Sequence, residues 1–212
     1  MVGFLRVHAE EEVNPPIARR FVAGEHEATA LEHARRLDER SVGAILNRLG
    51  EHYTERAPAD ADAEAYCQLV EDIATTDLRA CISIKPSQIG LDVSEAAFRE
   101  NLARITERAA AADVFVWLDM EDHTTTDATL DAFESQTREH DGGVGVCVQA
   151  NLERTADDVE RLAALPGKVR LVKGAYDEPA DIAGEGRERV DWAYRDRLTT
   201  MFREFDGGIA VG

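Results

Sequence analysis

Lysine is nearly missing from this sequence. Of 24 basic residues among 212, three are lysines (Lys85, Lys168 and Lys173), and the rest are arginines. Acidic residues number 42, so the formal net charge is −18. A field of that sign repels nucleic acid and anionic membrane surfaces, which argues against both as general partners. Because lysine is so scarce, each of the three becomes a candidate for a specific role.

Features that would indicate several other classes of protein are also missing. No apolar run approaches the roughly 20 residues that span a bilayer, and no basic-then-apolar signal pattern begins the chain. The three cysteines, Cys67, Cys81 and Cys147, have no CxxC spacing and are odd in number, so we expect buried, reduced thiols in a cytosolic protein. No Ser-His-Asp arrangement and no His/Cys spacing suited to a metal is evident. The sequence therefore predicts a soluble, cytoplasmic protein with no metal site.

Apolar, strand-like runs alternate with helical patterns along most of the chain. A charged amphipathic helix is expected at 25–40, after a short segment that begins at Pro15-Pro16. The strands expected beyond it are 42–49, 80–85, 114–120, 143–149, 168–174 and 208–212. The helices expected between them are 61–77, 94–111, 126–139, 155–165 and 188–204, with Ser94 as an N-cap. This alternation predicts β-α units and a parallel sheet.

The kind of α/β fold follows from a missing motif and a strand count. No Gly-x-Gly-x-x-Gly follows the first strand, which argues against a dinucleotide-binding doubly wound sheet. A β/α (TIM-like) barrel fits better, although a closed barrel needs about eight strands and the pattern gives about six. We therefore predict an incomplete β/α barrel over 41–212, an N-terminal helical segment over 1–40, and a chain truncated at its C-terminus.

The expected strand at 168–174 carries charges in an otherwise apolar run. Arg170 lies inside it and Lys173 at its end, and burying such a charge is costly unless a partner is present. Gly174 is a position where the backbone can approach a ligand closely. The segment is thus either a strand that ends in a binding site or an edge strand with solvated charges.

Polar residues follow five successive expected strands at the end where β/α barrels carry their chemistry. They are Glu51, Lys85, Gln88, Asp119, Glu121, Asp122, His123, Gln149, Asn151, Arg170, Lys173 and Tyr176. Each alone has an ordinary explanation, such as a solvated loop, a helix cap or a satisfied core amide. Their recurrence at the same end of each strand favours a shared site.

The residue types at these strand ends indicate the chemistry. Lys85 and Arg170 supply positive charge for a carboxylate or an electron-rich cofactor. Asp119 can orient one of them through a charge-assisted hydrogen bond. A site of cations and an amide, without an acid-base pair, suits a bound cofactor that carries out redox chemistry itself.

Four of these segments together resemble proline dehydrogenase, the flavin enzyme of proline catabolism. They are Ser83–Leu91, Leu118–Asp122, Val148–Leu152 and Val169–Tyr176, in the family's order. The resemblance implies a distorted β/α barrel that holds FAD and oxidises L-proline to Δ1-pyrroline-5-carboxylate by hydride transfer to the flavin N5. It also implies a quinone as electron acceptor, a functional link to pyrroline-5-carboxylate dehydrogenase, and a cytoplasmic location, with peripheral association at the membrane left open.

The resemblance assigns substrate and catalytic roles to five residues. Lys85 is similar to the lysine that pairs with the proline carboxylate, and Tyr176 to a tyrosine that lines the proline pocket. Glu51 resembles a glutamate that gates the site. Asp119 and Arg170 are the implied catalytic residues, with Arg170 next to the flavin N5. The implied cofactor contacts are Met120, Gln149, Lys173, Gly174 and Ala175.

Two features of the family are not found in this sequence. They are an arginine pair on the last helix, which adds a second cation for the proline carboxylate, and a Thr or Ser before His in the sixth strand. We therefore expect weak or absent FAD binding and little proline turnover by this chain alone. Two alternatives stay open: a Schiff-base β/α-barrel enzyme that uses Lys173 or Lys85, and a non-catalytic barrel fragment that needs a complementary chain to cover its strand edges.

Overall fold

A computed structural model describes residues 2–4, 22–24, 26–206 and 208–212. The segment beginning at Pro15-Pro16 lies outside the described residues. The chain divides into two units, Met1–Val116 and Trp117–Gly212, each with its own set of internal contacts. The division into 1–40 and 41–212 made from the sequence stays a prediction.

The first unit combines a parallel sheet with three helices. Its strands are β1 (Val2–Phe4), β2 (Ala44–Arg48) and β3 (Ala80–Ile84), and they lie in chain order. Its helices are α1 (Glu27–Asp38), α2 (Arg56–Ala74) and α3 (Glu95–Ala111). β2 pairs in parallel with β1 and with β3. A single 3₁₀ turn, Ser87–Ile89, follows β3.

Helix α3 shows how local sequence sets an element of this unit. The Ser94 side chain accepts a hydrogen bond from the backbone N–H of Ala97 at 3.1 Å, so the predicted N-cap is confirmed. The apolar residues Phe98, Leu102 and Ile105 recur at helical spacing and are buried. The cap fixes where the helix begins, and this apolar stripe fixes which face meets the core.

The second unit repeats the same pattern. Its strands are β4 (Val116–Leu118, which begins at the unit boundary), β5 (Val144–Gln149), β6 (Lys168–Val172) and β7 (Ile209–Val211). Its helices are α4 (Thr126–Glu139), α5 (Thr155–Leu162) and α6 (Arg187–Glu204). β6 pairs in parallel with β5 on one side and with β7 on the other. Every residue of β5 is buried, as expected for a strand covered on both faces.

The predicted alternation of strands and helices is confirmed, with boundaries that differ by a few residues. All six expected strands and all six expected helices are present, and β1 is an additional strand that the sequence pattern did not indicate. The largest boundary error is at α2, which begins at Arg56, five residues before the expected 61. Pro58 lies in its first turn, where a missing backbone N–H costs no helical hydrogen bond. Among the described residues, no helix is long and apolar enough to cross a membrane.

Replacing the N-cap of α3 tests this account of the helix. Ser94→Ala removes the acceptor for the Ala97 N–H and is expected to lower the free energy of unfolding by about 1 kcal/mol. Urea denaturation followed by circular dichroism measures the change. Ser135→Ala, at an exposed interior position of α4, is the matched control and is expected to be neutral or slightly stabilising. An equal loss in both variants would contradict the cap.

Candidate functional site

Arg170 is a buried cation in the middle of β6. Its side chain is 8% exposed, and its Nη2 donates to Asp119 Oδ1 at 2.5 Å. Its Nε donates to Cys147 Sγ at 2.8 Å, and its guanidinium lies 4.9 Å from the centroid of the Trp117 ring. The arginine in this strand is therefore paired, which is the condition for burying a charge. The alternative of a solvated edge strand is wrong, because β6 has a strand on each side.

Strand register brings this cluster together. Cys147 of β5 lies directly opposite Arg170 of β6 in the parallel ladder, and Asp119 follows β4 immediately. Gly145 makes room for Trp117, because a Cβ at that position would lie 2.6 Å from the indole ring. The cluster therefore depends on side chains from three neighbouring strands of one unit.

Cys147 completes the surroundings of the guanidinium. Burial raises the pKa of its thiol to about 12, the nearby Asp119 carboxylate adds to the increase, and Arg170 opposes it. The thiol therefore stays protonated at neutral pH, and its Sγ lies 3.5 Å from Asp119 Oδ1 as a weak donor. All three cysteines are free, and Cys67 and Cys147 are buried while Cys81 is partly exposed.

Gln149 bridges two loops of the second unit. Its Nε2 donates to the backbone carbonyl of Glu121 at 2.8 Å, and its Oε1 lies 3.4 Å from the backbone N–H of Ala175. The side chain is buried at the end of β5. It therefore holds the loop after β4 close to the loop after β6.

The loop after β6 approaches Asn151 closely. Gly174 has φ of +107°, and a side chain there would overlap Asn151 Oδ1. The backbone N–H of Asn151 donates to the carbonyl of Lys173 at 2.9 Å. The described part of the chain offers Asn151 Oδ1 no hydrogen-bond partner, although this atom is buried. Glycine is required at 174 both by the backbone conformation and by the space available.

The other predicted residues of this region differ in exposure. Met120 is buried, Tyr176 is partly buried, and Lys173 is exposed. Lys173 Nζ donates to Asp191 Oδ1 of α6 at 2.6 Å. His123 is only partly exposed and binds the buried Glu178 carboxylate through its backbone N–H at 3.0 Å and its Nδ1 at 2.5 Å. Glu178 is a partner that the sequence pattern did not indicate.

In the first unit, Lys85 and Glu51 form an ion pair. Lys85 follows β3 directly, and Glu51 lies in the loop after β2. The hydrogen bond from Lys85 lowers the pKa of the Glu51 carboxyl from its ordinary value of 4.5, against the effect of partial burial. Since the folded-state pKa is the lower one, the pair contributes stability above pH 4.5 and loses it as the pH falls through the lowered pKa.

The structure brings some predicted site residues into contact. Asp119 contacts Arg170, and Glu51 contacts Lys85. Gln149 meets the 173–175 loop through Ala175. Their roles in binding a cofactor or a substrate stay predictions. Both candidate Schiff-base lysines, Lys85 and Lys173, are engaged by carboxylates, so each ion pair has to break before the amine can attack a carbonyl group.

Sequence reasoning missed two members of the Arg170 cluster, Trp117 and Cys147. Cys147 could have been found, since it lies two residues before Gln149 and so shares a face of β5 with it. Nothing in the sequence indicated Trp117, because a tryptophan in an apolar run is typical of the hydrophobic core.

Known structures show the class of fold. The chain superposes on a crystal structure of proline utilization A (PutA) from Bdellovibrio bacteriovorus, inactivated by N-propargylglycine, with a TM-score of 0.80. The match has 21% sequence identity and covers 92% of this chain and 25% of that one. The protein is thus an incomplete β/α (TIM-like) barrel, as predicted, and it contains a buried cation–carboxylate cluster.

Sequence comparison shows the family. The family model described as proline dehydrogenase matches residues 30–183. Proline dehydrogenase 1 of Bacillus subtilis is 34% identical over 181 residues, which are 85% of this chain and 60% of that protein. Proline dehydrogenase of Deinococcus radiodurans is 34% identical over 183 residues, which are 84% and 59% respectively. The chain belongs to the proline dehydrogenase family. It spans about 60% of the length of these relatives.

Removing the carboxylate partner of Arg170 tests the importance of the cluster. Asp119→Asn leaves a buried guanidinium without its charge partner and is expected to lower the free energy of unfolding by about 3 kcal/mol. Urea denaturation at pH 7 measures the effect. Asp191→Asn breaks the more exposed pair with Lys173 and is the matched control, with a much smaller effect expected. Equal midpoints for wild type and Asp119→Asn would contradict the pairing.

Proposed function

We propose that this chain takes part in the FAD-dependent oxidation of L-proline to Δ1-pyrroline-5-carboxylate, with electrons passed on to a quinone. The observation that supports the proposal most directly is the buried Arg170 of β6, held by Cys147 of β5 and by Asp119. Asp119 follows β4 at the carboxyl end of the strand, where barrel enzymes carry their chemistry. Family membership supports the same reaction. The proposal also includes the functional link to pyrroline-5-carboxylate dehydrogenase and a cytoplasmic location.

The residues of the second unit fit a flavin by their chemistry. Asn151 Oδ1 is a buried acceptor that the described residues leave unused, and Gly174 leaves the backbone open to close approach. Gln149, Lys173 and Ala175 would add an amide, a cation and a backbone N–H, and Met120 an apolar contact. When bound, FAD would supply the hydride acceptor that proline oxidation needs.

Arg170 would act through its charge. A guanidinium held at a fixed place stabilises negative charge that develops beside it without any cost of reorientation. Asp119 and Trp117 restrict the guanidinium from two sides, so this charge is preorganised. The Asp119 carboxylate also offsets part of the charge, and the two residues would therefore act as one unit in catalysis.

Lys85 would bind the proline carboxylate. Its amine already binds one carboxylate, that of Glu51, and the carboxylate of proline has the same charge and the same acceptor geometry. Substrate binding at Lys85 would then be an exchange in which Glu51 moves away. That exchange is how Glu51 would gate the site, and Tyr176 would line the proline pocket.

Flavin spectroscopy tests the proposal. Because we expect weak or absent FAD binding by this chain alone, FAD is mixed with a large molar excess of the purified protein, and binding is followed by quenching of flavin fluorescence. L-Proline is then added without oxygen, and loss of the visible flavin absorbance is expected. Lys85→Met is expected to lower the apparent second-order rate of this bleaching by about tenfold or more, because it removes a charged hydrogen bond to the substrate.

Lys168→Met is the matched control for this experiment, since Lys168 lies at the opposite end of its strand from the polar cluster. It is expected to bleach FAD at the wild-type rate. FAD that binds at high protein concentration and that L-proline leaves unchanged would contradict the proposed function, whereas a lack of FAD binding would agree with the expected effect of the missing family features. Equal rates in the two lysine variants would contradict the role of Lys85 alone.

A further inference from the structure

The loop that carries Glu51 is fastened to the turn that follows Lys85. The backbone N–H of His52 donates to Ser87 Oγ at 3.0 Å, and that of Tyr53 donates to the Ser87 carbonyl at 3.3 Å. These bonds join the residues next to Glu51 to a residue two positions after Lys85. The ion pair therefore lies between two segments whose separation is set by other contacts.

A buried carboxylate on α2 joins the same two segments. Asp62 is 5% exposed, and its Oδ2 accepts hydrogen bonds from Tyr53 Oη at 3.0 Å and from Gln88 Nε2 at 2.7 Å. Its Oδ1 accepts from Arg48 Nη2 of β2 at 3.2 Å. One side chain thus contacts the strand before Glu51, the loop after Glu51 and the turn after Lys85.

Gly50 packs directly on this cluster. A Cβ at position 50 would lie 2.5 Å from Tyr53 Oη and 2.9 Å from Gln88 Nε2. The backbone immediately before Glu51 is therefore seated against the partners of Asp62. A displacement of those partners would be transmitted to Glu51 through a single peptide unit.

Charge balance for Arg48 does not explain the arrangement. Arg48 Nη1 also donates to Glu27 Oε1 at 2.7 Å, so this arginine has a second carboxylate. Two of the three hydrogen bonds that Asp62 accepts come from neutral groups, the Tyr53 hydroxyl and the Gln88 amide. These bonds are charge-assisted and so among the stronger ones available to orient the two segments.

We propose that Asp62 is a positioning residue that holds Glu51 and Lys85 in register with each other and thereby sets how tightly Lys85 binds the carboxylate of a ligand. The inference rests on the proposed function only for the identity of that ligand, the carboxylate of L-proline. Asp62 itself contacts neither Glu51 nor the ligand.

Because lysine is scarce, the Lys85–Glu51 ion pair can be followed directly by NMR. With three lysines in the chain, ¹⁵N spectra of the side-chain ammonium groups contain three signals, and Lys85→Arg identifies that of Lys85. Lowering the pH protonates Glu51 and shifts the Lys85 signal, so the midpoint of that shift reports the pKa of Glu51. In the wild type this midpoint is expected below 4.5.

Asp62→Asn is expected to move the midpoint upward toward 4.5, because Lys85 no longer faces Glu51 closely. The direction is decisive. Removing the negative charge of Asp62 would by itself favour the charged form of Glu51 and lower the midpoint. A loss of positioning raises it instead, because the hydrogen bond from Lys85 is the largest effect that lowers the pKa of Glu51. Tyr53→Phe removes one hydrogen bond to Asp62 without a change of charge and is expected to give a smaller upward shift.

Two controls separate positioning from general effects. Asp60→Asn removes a carboxylate of the same helix that binds Arg56 and Asn101, and Ile73→Val weakens the core about three turns further along α2. Neither is expected to move the midpoint. An unchanged or lowered midpoint in folded Asp62→Asn would overturn the proposal. If Asp62→Asn does not fold, an unchanged midpoint in Tyr53→Phe would overturn it.

Ligand binding is measured on the same signals at pH 7. L-Proline is expected to shift the Lys85 signal in the wild type. Asp62→Asn is expected to tighten this binding by up to about tenfold, because the ligand carboxylate then displaces a Glu51 that is held less firmly. If L-proline leaves the wild-type Lys85 signal unchanged, the proposed substrate fails, while the midpoint shift still decides whether Asp62 positions the ion pair. If L-proline binds Asp62→Asn as tightly as wild type or more weakly, the effect of Asp62 on ligand affinity is refuted.

Discussion

The burial of a guanidinium inside a β-strand is the constraint on which the second unit depends. An arginine at the centre of a covered strand is tolerated only when a carboxylate lies close to its guanidinium. Asp119 supplies the negative charge, Cys147 Sγ accepts a hydrogen bond from Arg170 Nε, and the Trp117 ring covers the face of the guanidinium. These three residues lie in β4 and β5 or directly after β4. The parallel pairing of the strands therefore also fixes the position of the guanidinium.

The first unit contains a second buried strand arginine, and the contrast between the two is informative. Arg48 pairs with two carboxylates, those of Glu27 and Asp62, and both residues lie on helices. These two ion pairs therefore attach β2 to the helices of the unit. Asp119, the partner of Arg170, directly follows β4 and so lies at the carboxyl end of that strand, where the next loop begins. The need to pair a buried arginine therefore attaches a strand to helices in the first unit. In the second unit it holds a charge within the candidate site.

Much of this arrangement can be predicted from the sequence, and the rest depends on long-range contacts. Apolar periodicity located the strands and helices, and the cost of burying a charge indicated that Arg170 needs a partner. The sequence left open whether Asp119 pairs with Arg170 or with Lys85, because both cations occur in the same pattern of strand ends. Asp62 gave no signal, since an acidic residue in a helix with charged neighbours reads as solvated. Its burial follows from the packing of α2 against the turn at Gln88, which local sequence does not encode. Strand β1 was missed because three residues carry too little periodicity.

An acidic chain with three lysines also constrains how anions bind. Lys85 and Lys173 lie at strand ends, and each amine is held by a carboxylate of the protein, Glu51 in one case and Asp191 in the other. A ligand carboxylate at such a lysine replaces an existing ion pair, so its binding free energy is the difference between two similar interactions. Affinity then depends less on the charge of the lysine than on how firmly its internal partner is held. The contacts that orient the internal carboxylate thereby become determinants of binding.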